Sequence, residues 1–318
     1  NDEVYLHMAI INIGLLGPGK IAKRVADGII SAENANLYAI GSRDINRARE
    51  FAKDYHAIAY ENEELLKDKN VDAVYIAIPN AYHFEWVMKS LEAGKHVICE
   101  KPIFVNEEEC EKAFTLAKEK GLMLMEAMKS DFLPLTLKVK ELLQSGKYGK
   151  LLYMDGKYSS ITPAKPGTWV FDVKTGGGLR DVGIYPISYC NFLADSKVKD
   201  TVTISKENDE GLDLLSQTTI LYENGVLATC TSGLELKTIN KIFIYTDSGY
   251  FEIENFWKTG KGKYVSGSDI EEIECEMLGD FMYEVKHFCD CINRGLIESP
   301  IASKEATLEI LKVFRGRK

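Results

Sequence analysis

These 318 residues carry no excess of positive charge, no membrane-length apolar run and no metal-ligand spacing, and each absence closes off a class of function. Asp and Glu number 48 against 39 Lys and Arg, a formal net charge of −9. Nucleic acid and anionic membrane are therefore not expected partners, since both are met by a basic surface. No apolar run approaches the length of a membrane span, and the N-terminal stretch does not resemble a secretory signal. The five histidines fall into no ligand pattern, and Cys289 and Cys291, two apart on an expected helix, point away from each other, so no metal is expected. Seven cysteines, an odd number without framework spacing, imply reduced thiols and a cytoplasmic protein.

What remains is an ordinary globular composition, 45% hydrophobic and 27% charged, in a chain long enough for two domains. Residues 1–8, which end in His7-Met8, are set aside as a leader ahead of the fold. The run Ala9 to Leu16 reads as a buried strand, and it leads into Gly17-Pro18-Gly19-Lys20-Ile21-Ala22. Two glycines permit a tight turn and let backbone N–H groups approach a pyrophosphate at the start of the next helix, here Ile21 to Ile30. The pattern is G-x-G-x-x-A. Its place between a strand and a helix gives a commonplace motif its value.

Alternation continues with a strand over Leu37–Gly41, a helix over Ile45–Tyr55, and a strand from Val71 to Ile78 ending at Pro79. Asn80 is read as the cap of a helix that stops at Gly94. Next come the apolar strand His96-Val97-Ile98-Cys99 and the tripeptide Glu100-Lys101-Pro102. Pro102 favours an extended Lys101, and a lysine at the carboxyl end of a parallel strand faces the crevice where open α/β sheets bind ligands. A helix capped by Asn106 carries Glu107, Glu108 and Glu109 in its first turn and Lys118 and Lys120 in its last, as the helix dipole favours. Leu122–Met125 is the following strand. Such β-α alternation predicts a doubly wound parallel sheet, a Rossmann domain, over residues 9–126.

Past Gly146-Lys147-Tyr148-Gly149 the pattern changes. Short strand-like runs follow at Leu152–Tyr158, Thr201–Ser205, Leu214–Tyr222, Val226–Ser232, Lys241–Tyr245 and Tyr250–Ile253. Asn224-Gly225 and Ser248-Gly249 mark hairpin turns between them. With helices near 179–194, 279–294 and 302–313, residues 127–318 are expected to form an α+β domain. Its large, mostly antiparallel open sheet would serve substrate binding and oligomerisation, with the runs Ile242–Tyr245 and Phe251–Ile253 apolar enough for a subunit interface.

Three motifs carry a resemblance that covers nearly the whole chain. They are Gly17-x-Gly19-x-x-Ala22, the run Ala93-Gly94-Lys95-His96-Val97-Ile98-Cys99-Glu100-Lys101-Pro102, and Gly176-Gly177-Gly178-Leu179-x-Asp181-x-Gly183-x-Tyr185. Together they resemble the glucose-fructose oxidoreductase / inositol dehydrogenase (Gfo/Idh/MocA) family of NAD(P)-dependent oxidoreductases. Tyr185, with Glu126-Ala127-Met128 and Phe132-x-Pro134, is similar to the branch that holds dimeric dihydrodiol dehydrogenase. Lys129 and Asp131 depart from it, standing where diol dehydrogenases tend to have tryptophan and arginine. The resemblance implies a small-molecule sugar, polyol, diol or carbonyl substrate, and a homodimer or homotetramer packed through the second sheet. It also places Pro79, Asn80, His83 and Glu100 beside the cofactor.

The residues themselves suggest the chemistry. Oxidising a secondary alcohol removes the hydroxyl proton as hydride leaves, and reduction reverses this. Tyr185 is the candidate proton carrier; a free phenol ionises near pH ~10, and a neighbouring lysine cation, with Lys101 the candidate, favours the phenolate. Asp181, one helical turn before Tyr185, would bind a substrate hydroxyl or orient Lys101, although Pro186 is expected to break or kink the helix there. Single tyrosines are more often half-buried structural aromatics and an aspartate after glycines is commonly a cap; the set of three favours catalysis.

After the second strand stand Gly41-Ser42-Arg43, with no acid at the strand end and Arg47 one turn further on. Ser42, Arg43 and Arg47 suit a ribose 2′-phosphate, so NADP is the expected cofactor. A small register shift would make Asp44 a ribose acceptor and NAD the cofactor. Gly17, Gly19, Lys20 and Ile21 would hold the pyrophosphate. Lys129, Trp169 and Asp172 are candidate substrate contacts, with an ordinary core position the commoner fate of Trp169 and of Phe171. A dinucleotide-binding sensor without chemistry is the rival class, and a linear tetrapyrrole reductase a rival on the same scaffold; a sensor needs only the nucleotide cradle.

Overall fold

The computed structural model describes residues 9–163 and 168–316, so the expected leader over 1–8 lies outside the described residues. The chain divides into two compact units. The first comprises the described residues up to Ile103 together with Glu111–Ala127 and Phe281–Pro300. The second comprises Phe104–Cys110, Met128–Asp280 and the described residues from Ile301 onward.

In the first unit, strands β1 (Ile11–Leu16), β2 (Ala35–Ser42), β3 (Ile58–Glu61), β4 (Ala73–Ile76), β5 (His96–Glu100) and β6 (Leu124–Ala127) pair in the order β3-β2-β1-β4-β5-β6. Every pairing in this sheet is parallel. The helices between them are α1 (Ala22–Ser31), α2 (Ile45–Lys53), α3 (Asn62–Lys67), α4 (His83–Glu92) and α5 (Glu107–Lys120), the last running on from the second unit into the first. Ile13, Leu15, Val74, Ile76, Val97 and Ile98 are buried, as strands covered on both faces require. The order reverses between β1 and β4, so the loops after these two strands diverge and leave a crevice at their carboxyl ends. This is the doubly wound sheet expected from the alternating pattern. β3 and α3, four and six residues long, are too short for a period to show.

The second unit opens with α6 (Pro134–Gln144), whose proline occupies the first helical position, where a missing N–H costs nothing. Next come β7 (Leu151–Ser159), α7 (Ile184–Ala194), β8 (Val198–Glu207), β9 (Asp213–Tyr222), β10 (Leu227–Gly233), β11 (Lys241–Thr246), β12 (Tyr250–Glu254), β13 (Lys261–Ser266) and β14 (Asp269–Glu274). They form one eight-stranded sheet in the order β14-β13-β12-β11-β7-β10-β9-β8. Only the β7–β10 pair is parallel. The sheet is thus mostly antiparallel, as expected, and longer by the edge pair β13 and β14. These two strands are rich in Lys and Glu, which guards an exposed edge but removes the apolar signal.

Strand alternation sorts the residues expected at an interface. Ile242, Ile244, Phe251 and Ile253 are buried in the core and cannot meet another subunit. The opposite face presents Phe243, Tyr245, Tyr250 and Tyr153, with ring centroids 5.6–5.9 Å apart.

After β14 the chain returns to the first unit as α8 (Met282–Asn293) and ends in the second as α9 (Lys304–Arg315). A single boundary at 126/127 does not describe this return. Its cause is pairing: Asn34 donates to Lys286 O (3.0 Å) and Asp290 Oδ1 (2.7 Å), and Leu124 N donates to Ile297 O (3.3 Å).

Candidate active site

The carboxyl ends of β1, β2 and β4 bring the expected nucleotide residues together. Gly17 sits at φ +95°, and a Cβ there would lie 2.7 Å from both Ala77 O and Ile78 Cγ2, so only glycine lets the loop after β1 close on the β4 loop. Gly19, Lys20 and Pro79 are exposed, Ile21 is half-buried, and Asn80 is buried. Ile21 gives α1 no side-chain cap, and backbone carbonyls meet part of its first turn, Ala22 N donating to Gly19 O (3.2 Å) and Arg24 N to Ile21 O (3.0 Å). Arg47 reaches over the glycine loop, donating from Nη2 to Pro18 O at 3.3 Å. The Arg43 guanidinium stands 5.6 Å from the ring centroid of Tyr82, an exposed aromatic that sequence reasoning passed over.

At the end of β2 the Ser42 hydroxyl accepts from Asp44 N (3.2 Å), and the Asp44 carboxylate accepts from Asn46 N (2.9 Å) as the cap of α2. Asp44 is therefore engaged by its own helix, while Glu61 of β3 stands opposite Ser42 in the sheet. A glycine loop at a helix start and two arginines fit a dinucleotide, and Ser42 and Arg43 fit one bearing a 2′-phosphate.

Glu100 and Lys101, both half-buried, close β5, and the Lys101–Pro102 peptide is cis. Behind them Tyr75 is fully buried, with its hydroxyl 2.9 Å from Glu100 Oε1 and 3.0 Å from Glu284 Oε1. Burial and the two carboxylates push this phenol well up, so Tyr75 keeps its proton. His83 is buried with Nδ1 2.9 Å from Pro102 O and Nε2 2.9 Å from Ile78 O, and burial lowers its pKa. Both ring nitrogens thus meet backbone carbonyls. A neutral imidazole donates to only one of them, and His83 in this way ties the start of α4 to the chain around Pro102.

In the second unit, residues Leu179–Gly183 form one wide i→i+5 helical turn that runs into α7. Pro186 does not break the helix as expected. It lies just past the wide turn, inside a helical run already under way at Leu179, and the helix continues with one main-chain donor missing. Asp181 and Tyr185 are both half-buried. The Tyr185 ring lies 5.5 Å from that of Tyr158, which stacks on Trp257 at 3.8 Å.

Lys129, expected to meet substrate, is 4% exposed. Its ammonium donates to Trp257 O (2.8 Å) and Asp280 Oδ2 (2.5 Å) and stands 5.9 Å from the centroid of the Tyr185 ring. Asp131 is likewise buried and accepts from Ser188 Oγ at 2.5 Å. Trp169 and Phe171 are half-buried and pack on the apolar cluster of Val170, Val182 and Leu234. The Asp172 carboxylate accepts from Thr175 N (2.8 Å), Thr175 Oγ1 (2.9 Å) and Lys174 N (3.0 Å). Partial burial would raise its pKa, but these donors bring it below the usual range, and they engage the group in its own turn. Tyr158, Trp257 and Asp280 carry no local motif, and only the folded sheet brings them to Tyr185.

A Rossmann sheet with a nucleotide cradle, joined to an open-sheet domain that presents an aspartate and a tyrosine, defines an NAD(P)-dependent oxidoreductase. Residues 11–128 match the family model described as an oxidoreductase family with an NAD-binding Rossmann fold, and residues 136–252 match the GFO/IDH/MocA C-terminal domain. The chain belongs to the Gfo/Idh/MocA family, as its motifs suggested. It is 29% identical over 320 residues to trans-1,2-dihydrobenzene-1,2-diol dehydrogenase of Mus musculus, covering 95% of each chain. It is 31% identical over 229 residues to dTDP-3,4-didehydro-2,6-dideoxy-alpha-D-glucose 3-reductase of Actinomadura kijaniata, covering 71% of this chain and 69% of that one. A crystal structure of the 3-ketoreductase KijD10 from Actinomadura kijaniata, in complex with NADP and TDP-benzene, superposes with a TM-score of 0.85 at 26% identity. That match covers 97% of this chain and 98% of the other. Among the described residues no helix is long and apolar enough to cross a membrane.

Proposed function

We propose that this oxidoreductase is NADP-dependent and acts on a carbonyl or secondary alcohol of a sugar, polyol, vicinal diol or dicarbonyl, with Tyr185 as proton donor and acceptor and Lys101 as its assistant. The observation that carries the reading is the setting of Tyr185, half-buried at the start of α7 beside the Lys129 ammonium. Gly17, Gly19, Lys20 and Ile21 would hold the pyrophosphate, and Ser42, Arg43 and Arg47 the 2′-phosphate. When bound, the nicotinamide supplies or takes up the hydride. The chain does the rest: Tyr185 Oη gives or receives the proton of the reacting oxygen, Lys101 steadies the charge on that oxygen, and Asp181 accepts from a neighbouring substrate hydroxyl. The relatives named above act, by name, on a dihydrodiol and a nucleotide-linked deoxysugar, which supports a polyhydroxylated substrate.

The test is loss of NADPH absorbance against a panel of sugars, osones and small dicarbonyls. Turnover of any member names the substrate class; tight NADPH binding without turnover across the panel would favour the sensor reading. Cofactor choice is tested separately. Arg43→Ala is expected to weaken NADPH binding about 10- to 100-fold, the loss of one charge-assisted contact to phosphate, with NADH binding nearly unchanged. Equal losses for both cofactors, or a wild-type preference for NADH, would count against the 2′-phosphate assignment.

The assembly belongs to the same proposal. The aromatic face of Tyr153, Phe243, Tyr245 and Tyr250, rimmed by Lys241, Glu252 and Lys263, would pair with a second copy to give a homodimer or homotetramer. Sedimentation velocity at micromolar concentration should then show a dimer or larger, and Tyr245→Lys should shift it to monomer. A wild-type monomer would refute this.

A further inference from the structure

Resting on the reading of Tyr185 as the proton carrier, we infer that the buried Lys129–Asp280 ion pair sets how tightly Tyr185 holds its proton. Lys129 opens the turn Lys129–Phe132 that follows β6, and its side chain is 95% buried. Two acceptors from a distant part of the chain, Trp257 O and Asp280 Oδ2, fix the ammonium in place. The fixed charge lies 5.9 Å from the Tyr185 ring centroid, within reach of the ring's negative face. The ring is held in turn by Tyr158, and Tyr158 by Trp257, the residue whose carbonyl receives the ammonium. Cation and phenol are therefore registered to each other through one aromatic stack.

A positive charge so placed stabilises the phenolate more than the phenol, because ionisation turns a weak attraction into a full Coulomb one. Asp280 keeps the ammonium charged despite burial, which outweighs the part of the field at the ring that its own negative charge offsets. Among the described residues of this unit, the elements that flank the ring also carry Asp181 on the preceding turn, Tyr158 on β7, Asp131 on the Lys129 turn, and Tyr189 one turn on along α7. Asp131 is tied to Ser188, and burial pushes Tyr189 above the normal phenol range, so neither competes for the role. Lys129 is thus a positioning residue with an electrostatic effect. Its burial separates it from the substrate contact expected from its place in the sequence.

The experiment is a spectroscopic titration of the full chain saturated with NADP. Tyrosinate absorbance is followed against pH, and the Tyr185→Phe curve is subtracted to isolate Tyr185. Lys129→Met should raise the Tyr185 midpoint by about one to two pH units, the effect of one charge near 6 Å at an effective dielectric constant of about 20. Asp280→Asn should raise it as well, because the buried ammonium then loses the carboxylate that keeps it charged, and Lys129→Arg should leave it near wild type. A purely structural role would move Lys129→Arg along with Lys129→Met, or leave the midpoint unmoved in every variant, and either result overturns the inference. Should Lys129→Met fail to fold, Asp280→Asn decides beside Lys129→Arg, and a midpoint at or below wild type in Asp280→Asn overturns it. The catalytic reading fails separately: if Tyr185→Phe keeps its turnover the phenol is not the proton carrier, whatever the titration shows.

Discussion

Tyr185→Phe should fold like the wild type, bind NADPH with unchanged affinity and lose about 10²- to 10⁴-fold in kcat, the usual contribution of a positioned proton donor. The argument is atomic. Phenylalanine keeps the ring that packs on Tyr158 and faces the Lys129 ammonium, and it deletes only Oη. Whatever is lost is therefore the work of one oxygen and its proton. Lys101→Met makes the companion case, since it keeps the side-chain length at the end of β5 and removes the charge. Under the proposed roles its loss should be comparable and should not add fully to that of Tyr185→Phe, because two groups that act on one reacting oxygen are not independent. Steady-state kinetics with the panel's best substrate, set beside NADPH fluorescence titrations, separates the two effects. Near wild-type kcat in both variants would remove the proposed mechanism while leaving the family assignment in place.

The sequence made the first sheet plain because its strands are covered on both faces. Runs such as Ile11–Leu16, polar only at Asn12, and Val97–Cys99 are apolar, and turn glycines punctuate them. The second sheet was legible where buried and open residues alternate, as in Lys241–Tyr245, and silent where charge protects the edge, as in β13 and β14. Local pattern also cannot say which distant segment covers a surface. Nothing in the composition of Phe281–Pro300 announces that it returns to Asn34 and Leu124.

The candidate site divides in the same way. The glycine loop, Lys101 and Tyr185 lie in short motifs whose spacing is itself the signal. Asp172 and His83 matched the expected chemistry but are engaged by Thr175, Lys174, Ile78 and Pro102. Only tertiary structure assigns such partners. Lys129 stood out in the sequence as a substrate candidate, and only the fold shows Trp257 and Asp280 holding it beside a phenol.

The three consecutive glycines before Asp181 look like a flexible hinge, yet the structure makes Gly176 a point of close backbone contact. Gly176 N donates to Asp172 O (2.7 Å), and Gly177 N donates to Val170 O (2.8 Å). A Cβ on Gly176 would stand 2.3 Å from Val170 O and 2.6 Å from Trp169 O. Both atoms are main chain, so no side-chain rotation relieves the contact, and the turn Trp169–Phe171 must move. That turn carries Val170 into the cluster with Val182 and Leu234, and Val182 lies three residues before Tyr185. Gly176→Ala should therefore lose about 3 kcal/mol of stability, the upper end of an overpacked site. In urea this would be a fall in the midpoint at an unchanged slope. Activity should fall with it, because the wide turn that presents Asp181 and Tyr185 rests on the same contact. Gly146→Ala supplies the contrast: that glycine has φ +71° with nothing within 4 Å of the added Cβ. It should lose only the ~1–2 kcal/mol of a left-handed backbone and leave kcat alone. If Gly176→Ala proves as mild as Gly146→Ala, the triple glycine is the hinge it resembles, and the rigid platform argued here for Tyr185 falls.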